Sequence, residues 1–122
     1  MNVVLRAVLT LLFWSAGMFG LFNFDAVATE VRELGLPQPA LLAGATILLQ
    51  LGGSLLVITN FRKLGWMGAF ALAGFTLLTI PLGHAFWTFP EPRRTAELHI
   101  ALEHITVIGG LLLAAYHSRR HD

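Results

Sequence analysis

Five side chains in this chain can take or give a proton, or donate to a ligand, while surrounded by apolar neighbours: Gln50, His84, His99, Glu103 and His104. Glu103 follows His99 by four residues, so on a helix the two share nearly one face, and His104 is rotated from Glu103 by about 100°. His84 stands three residues after Pro81, with Trp87 three residues further on. A carboxyl beside imidazoles in an apolar setting is the equipment of proton acceptance and relay. It admits three chemistries. In the first, Glu103 is hydrogen-bonded to a histidine or to Gln50 and only holds the structure in register, as buried polar groups do. In the second, the group surrounds a quinone or quinol headgroup. Glu103 is then the candidate proton acceptor and His99 its relay, while His84, His104, Trp87 and Gln50 are the candidate headgroup contacts. In the third, His84, His99, Glu103 and His104 ligate a metal. Their spacing matches no metal motif, so that reading ranks last and no ligands are assigned.

The elements that must position these residues are four long apolar runs, residues 3–22, 40–59, 64–85 and 98–116. A bilayer core about 30 Å thick needs about 20 helical residues. A soluble domain of 122 residues has too little interior to hide four such helices. The expected fold is therefore all-α: a polytopic membrane four-helix bundle, one domain over residues 1–122. Met1–Gly20 has the outline of a signal peptide, but its single charge, spanning length and Trp14, Met18 and Phe19 point to a retained helix. Between the first two runs, Phe24, Val27, Val31 and Leu34 recur at helical spacing, with Asp25, Glu30, Arg32 and Glu33 mostly opposite. This predicts a short interfacial amphipathic helix over residues 24–34, capped by Asn23 or Asp25 and ended by Gly35-Leu36-Pro37. In the bundle, Glu103 should face the interior, because an intramembrane acid needs a partner or a proton. Small and polar faces predict the packing seams: Arg6, Thr10, Gly17 and Gly20; Thr46, Gln50, Gly53 and Ser54; Gly65, Gly68, Ala69 and Ala73; and Glu103, Thr106, Gly110 and His117.

Composition closes off several classes. Hydrophobic residues make up 56% of the chain and charged ones 12%, with a mean hydropathy of +0.71. A net charge of +1 offers no basic stripe for nucleic acid. With no cysteine there is no expected cysteine-ligated metal, c-type haem attachment or iron–sulfur cluster, so electron chemistry requires a bound quinone or a partner. Arg6, Arg62, Lys63, Arg119 and Arg120 lie on one side of the expected topology, and Arg32, Arg93 and Arg94 on the other. The excess predicts a multi-pass protein of a bacterial-type inner (plasma) membrane with both termini cytoplasmic. Arg6 is expected to snorkel to the headgroups, and His117 and His121, with Arg119 and Arg120, to form a solvated or headgroup-binding tail. A bundle this small also points to a second copy, or to a membrane or periplasmic protein partner, to cover its polar face.

The chain resembles the DoxX family. The resemblance rests on Arg6 at the start of the first run, Phe13-x3-Gly17, Phe22-x-Phe24-Asp25, Leu34-Gly35-Leu36-Pro37, Gln50-Leu-Gly-Gly-Ser-Leu-Leu56, His84-x-Phe86-Trp87 and Gly109-Gly110-Leu-Leu-Leu113. The order of these stretches carries it more than any one of them. The resemblance implies a small four-helix membrane protein, a membrane subunit or quinone-interacting component of a redox system. The alternative it leaves open is a non-catalytic anchor or assembly factor. The sequence departs from the family where Gln50 stands in place of a glutamate, where no lysine occurs near Gly20, and where Glu103-His104 replaces Lys-Asn. Roles carried by those charges in relatives do not transfer.

Overall fold

The computed structural model describes residues 2–121, with side chains as far as Arg119. All regular elements among the described residues are helical: α1 (Val3–Leu9), α2 (Leu11–Phe22), α3 (Phe24–Glu33), α4 (Pro39–Thr59), α5 (Gly65–Gly83) and α6 (Arg93–His121), with 3₁₀ turns at Phe61–Lys63 and Phe86–Thr88. Three helices are long and apolar enough to cross a membrane: α4, α5 with the turn after it, and α6. The pair α1 and α2 makes a fourth span, bent by 68°. The chain is thus a multi-pass helical membrane bundle. The last helix begins at Arg93, five residues before the expected start, and runs on through the stretch read as a tail. His117 is half-buried there, and the Arg119 guanidinium lies 5.1 Å from the Trp66 ring centroid. Arg120 and His121 lie outside the described side chains.

The bend corrects the expectation of one continuous first helix. No proline or glycine causes it. Thr10, fully buried, donates its hydroxyl to the Arg6 carbonyl at 2.8 Å and leaves helical geometry, with φ −97° and ψ 8°. Hydroxyl back-bonding of this kind is a known source of helix bending. In a regular helix the Ala7 carbonyl would accept from the amide of Leu11. Here the Trp14 indole N–H occupies it at 2.9 Å, so the bend does not leave that carbonyl bare. As a result α1 packs on α4 and α6, whereas α2 packs on α4 and α3.

The centre of the bundle is Phe13, Val57, Ala69, Leu72, Ala73, Leu111 and Ala115. Helices α4 and α5 cross closely where two glycines meet: a Cβ on Gly68 would lie 2.5 Å from the Gly53 carbonyl oxygen. Gly17 and Gly20 likewise seat Leu51 and Ile47 of α4. The small-residue seams expected on these helices are buried: Thr10, Gly17 and Gly20; Gly53 and Ser54; Gly65, Gly68, Ala69 and Ala73.

The two ends of the bundle differ. At the end holding the N-terminus and the Phe61–Lys63 turn, Asn60 caps α4 in the left-handed conformation (φ 48°). Its Oδ1 accepts from the Gly65 amide at 2.8 Å and the Ser118 hydroxyl at 2.6 Å, joining α4, α5 and α6. Arg6 does not simply snorkel. Half-buried, it donates through Nη1 to the Ile58 carbonyl at 3.2 Å, placing a cation at the negative end of the α4 dipole. At the opposite end, α3 lies across the start of α4, burying Ala28 and Val31 against Ala43. Its start departs from expectation: Asn23 makes no side-chain cap to α3 and donates its amide to the Phe19 carbonyl at 3.0 Å. Its end follows expectation, since Gly35 takes φ 77°, a conformation suited to glycine after a helix.

Candidate functional site

The groups able to handle protons gather at the α3 end. His84 closes α5, its backbone N–H bonded to the Ile80 carbonyl at 2.9 Å. Its Nδ1 meets Glu97 Oε2 at 2.7 Å. Glu97 lies on the first turns of α6, and four residues before it Arg93 approaches Oε1 through Nε at 3.6 Å. Arg93 is itself seated over the Phe89 ring, 3.8 Å from its centroid. The His104 ring stands edge-on to His84, with centroids 4.8 Å apart and planes at 69°. The helical face Glu97, Ala101, His104, Ile108 and Leu111 accounts for this: it is the face α6 turns toward α5. An ionised carboxylate only accepts hydrogen bonds, so the Glu97 contact places a proton on Nδ1 of His84, and in the neutral ring Nε2 is then the acceptor.

His84 also lines a cleft of about 740 Å³ between α2, α3, α4 and α5. Its walls are mostly apolar, with Phe19, Val31, Leu42, Phe75, Leu78 and Leu82 among them. The polar groups that line it are Thr46, Gln50, Thr79 and His84, together with the exposed carboxylates Glu30 and Glu33 of α3. An apolar cavity with a few placed polar groups is the usual form of a small-molecule site. Among the described residues no group of three His, Cys, Asp or Glu is placed to hold a metal ion.

Of the six residues singled out in the sequence, the structure brings together three. Gln50 and His84 line one cleft, and His104 meets His84 edge-on. Trp87 is exposed, its ring edge-on to Phe86 at 5.1 Å. His99 and Glu103 do share a face, but it is the outward one: both are exposed on α6, away from the cleft. Glu103 therefore does not face the bundle interior as expected. The seam drawn through Glu103 and Thr106 lies roughly 140° around the helix from the buried face through Ala101, His104 and Leu111. The residues the sequence reading missed are Glu97, placed in the loop before the helix, and Thr79, Glu30 and Glu33. The available signal for Glu97 was its spacing of seven from His104, two turns along one face.

A family model described as DoxX matches residues 1–85. The match spans α1 to α5 and ends one residue after His84, so α6, with Glu97, His99, Glu103 and His104, lies beyond it. No curated protein and no solved structure matches the chain.

Proposed function

The chain belongs to the DoxX family, and from that premise we propose that it is a quinone-interacting membrane component of a redox system, with the headgroup in the cleft between α2, α3, α4 and α5. The observation that carries this reading is the 2.7 Å contact between Glu97 and a histidine that also lines an apolar cleft. The cleft residues fit such a group. Flat apolar walls suit a substituted ring, and His84 and Gln50 offer an acceptor and a two-way hydrogen-bonding amide for ring oxygens. A bound quinol would supply two electrons and two protons, the electrons leaving to a partner of this cysteine-free chain. His84 Nε2 would take one hydroxyl proton, with Glu97 holding the ring in the tautomer that can do so and steadying the imidazolium that results, and the second proton would leave by way of the exposed carboxylates Glu30 and Glu33 that line the cleft. In this reading His84 takes the proton-accepting role the sequence assigned to Glu103, Glu97 takes the partner role assigned to His99, and Glu103 and His99 have no part in the site.

The experiment is extraction of the protein with its lipid retained, followed by quantification of bound quinone by chromatography with mass detection. Near-stoichiometric quinone in the native chain, lost in His84→Ala and retained in Glu103→Ala, is the expected result. No enrichment over bulk lipid in the native chain sinks the proposal. A second reading, a non-catalytic anchor or assembly factor, then takes its place. It draws support from the exposed Phe22 (80%) and Phe24 beside the polar outer surface of α3.

A further inference from the structure

The outward face of α6 is unusual for a surface meeting lipid. His99, Glu103, Thr106, Gly110 and Leu113 follow one another at spacings of four, three, four and three, the repeat of a helix–helix seam. Glu103 lies ten residues into α6, about 15 Å along it, which is inside the apolar span. It is exposed, and its carboxyl has no hydrogen-bond or ion-pair partner among the described residues. An ionisable group within a span ordinarily faces protein or a water-filled space and has a partner. The bend at Thr10 explains why this chain supplies none. Helix α1 meets α6 at one end of that face, where Leu9 lies 3.0 Å from a Cβ built on Gly110, and α2 then packs mainly on α4 and α3. His99, Glu103 and Thr106 lie beyond that contact.

We infer that this face of α6 is the interface with a second copy of the chain, in a parallel twofold dimer. Copies inserted in the same orientation bring their α6 helices together in parallel around an axis along the membrane normal. A twofold contact needs a surface complementary to itself, and this one carries an acid and a base one helical turn apart. The carboxyl of each copy then reaches the imidazole of the other. One turn further along, Thr106 and the glycines allow the backbones to approach, as small residues do between helices in lipid. Gly109 borders the seam with open space around it: nothing lies within 4 Å of a Cβ built there. The complementarity favours a second copy over an unrelated partner, because a hydrogen-bonding acid and base are both already present on the one stripe.

The absence of cysteine makes the test direct. Thr106→Cys and, as a control on the exposed face of α5, Leu77→Cys are each expressed in the full chain and oxidised in native membranes. Thr106→Cys is expected to give a species of twice the chain mass as the main product, and Leu77→Cys a minor one. Adding Gly109→Leu or Glu103→Leu to Thr106→Cys is expected to cut the crosslinked fraction at least several-fold. Gly109→Leu meets no neighbour within the chain, so it leaves the fold intact and keeps the test informative if Glu103→Leu expresses poorly. Three results would overturn the inference: equal crosslinking at both cysteines, an adduct with a different protein at Thr106→Cys, or a dimer indifferent to Gly109→Leu.

Discussion

The indole of Trp14 reaches back seven residues to donate its N–H to the carbonyl of Ala7 at 2.9 Å, across the bend at Thr10. A side chain thus replaces the backbone amide that the bend removes from the ladder. Trp14→Phe keeps the ring and deletes the donor. It is expected to destabilise the protein by about 1–3 kcal/mol, the cost of an unmet acceptor away from water. Thermal unfolding in a mild detergent measures this, and an unchanged midpoint would show that the bend does not depend on the indole.

Gly68 and Gly74 stand on the same helix in opposite circumstances. A Cβ on Gly68 meets the Gly53 carbonyl oxygen at 2.5 Å, whereas one on Gly74 meets nothing within 4 Å. Backbone cannot step aside as a side chain can, so Gly68→Ala forces α4 and α5 apart, at an expected cost of about 1–3 kcal/mol. Gly74→Ala is expected to stabilise by up to about 1 kcal/mol through helix propensity. If the two variants unfold at the same temperature, the close crossing at Gly53 and Gly68 is not a determinant of stability.

Ser54 carries a buried hydroxyl with no hydrogen-bond partner among the described residues. Removing an unmet polar group costs nothing in lost bonds and relieves its desolvation. Ser54→Ala is expected to leave stability unchanged or to raise it by up to about 1 kcal/mol. A fall of that size in the unfolding free energy would mean that the hydroxyl has a partner in the folded protein.

Glu91 precedes α6 and accepts from the Thr95 hydroxyl at 2.7 Å and the Thr95 amide at 2.9 Å. These bonds, the hydroxyl's first, hold its carboxyl below the ordinary value of 4.5, with a smaller contribution from the charge of Arg94. Because the folded value is the lower one, the cap is fully present above the unfolded value and is lost as pH falls through the folded one. Amide exchange at Thr95 is expected to be protected near neutrality and to lose protection only below pH 4.5. In Glu91→Ala that pH-dependent loss should vanish. Identical profiles for the two proteins would remove Glu91 as the cap.

Much of this architecture could be read from the residues. The apolar runs announce the spans. The glycine seams of α2, α4 and α5 follow from small residues at helical spacing, and α3 follows from Phe24, Val27 and Val31 with Gly35 at its end. The bend at Thr10 could not be read, because threonine and tryptophan are ordinary residues in a span and only their joint hydrogen bonding breaks the ladder. The site was half legible for a related reason. His84, His104 and Gln50 stood out as polar residues in apolar surroundings. Helix α6, however, is apolar on nearly every side, so periodicity does not say which face turns inward. The inward acid is Glu97 at the helix start, and the acid deep in the span, Glu103, faces out.

The junction at Asn60 has a mechanical consequence. Three helices are tied there through one amide oxygen, while at the far end α2 and α3 border the cleft through mainly apolar contacts. Such contacts are non-directional and slide; hydrogen bonds at 2.6–2.8 Å do not. Asn60 therefore fixes α4, α5 and α6 to one another at one end, and the 2.7 Å His84–Glu97 bond fixes α5 to α6 at the other. The walls that α2 and α3 give the cleft are the ones held mainly by non-directional contacts, so a ligand that needs more room displaces them and not the α5–α6 pair.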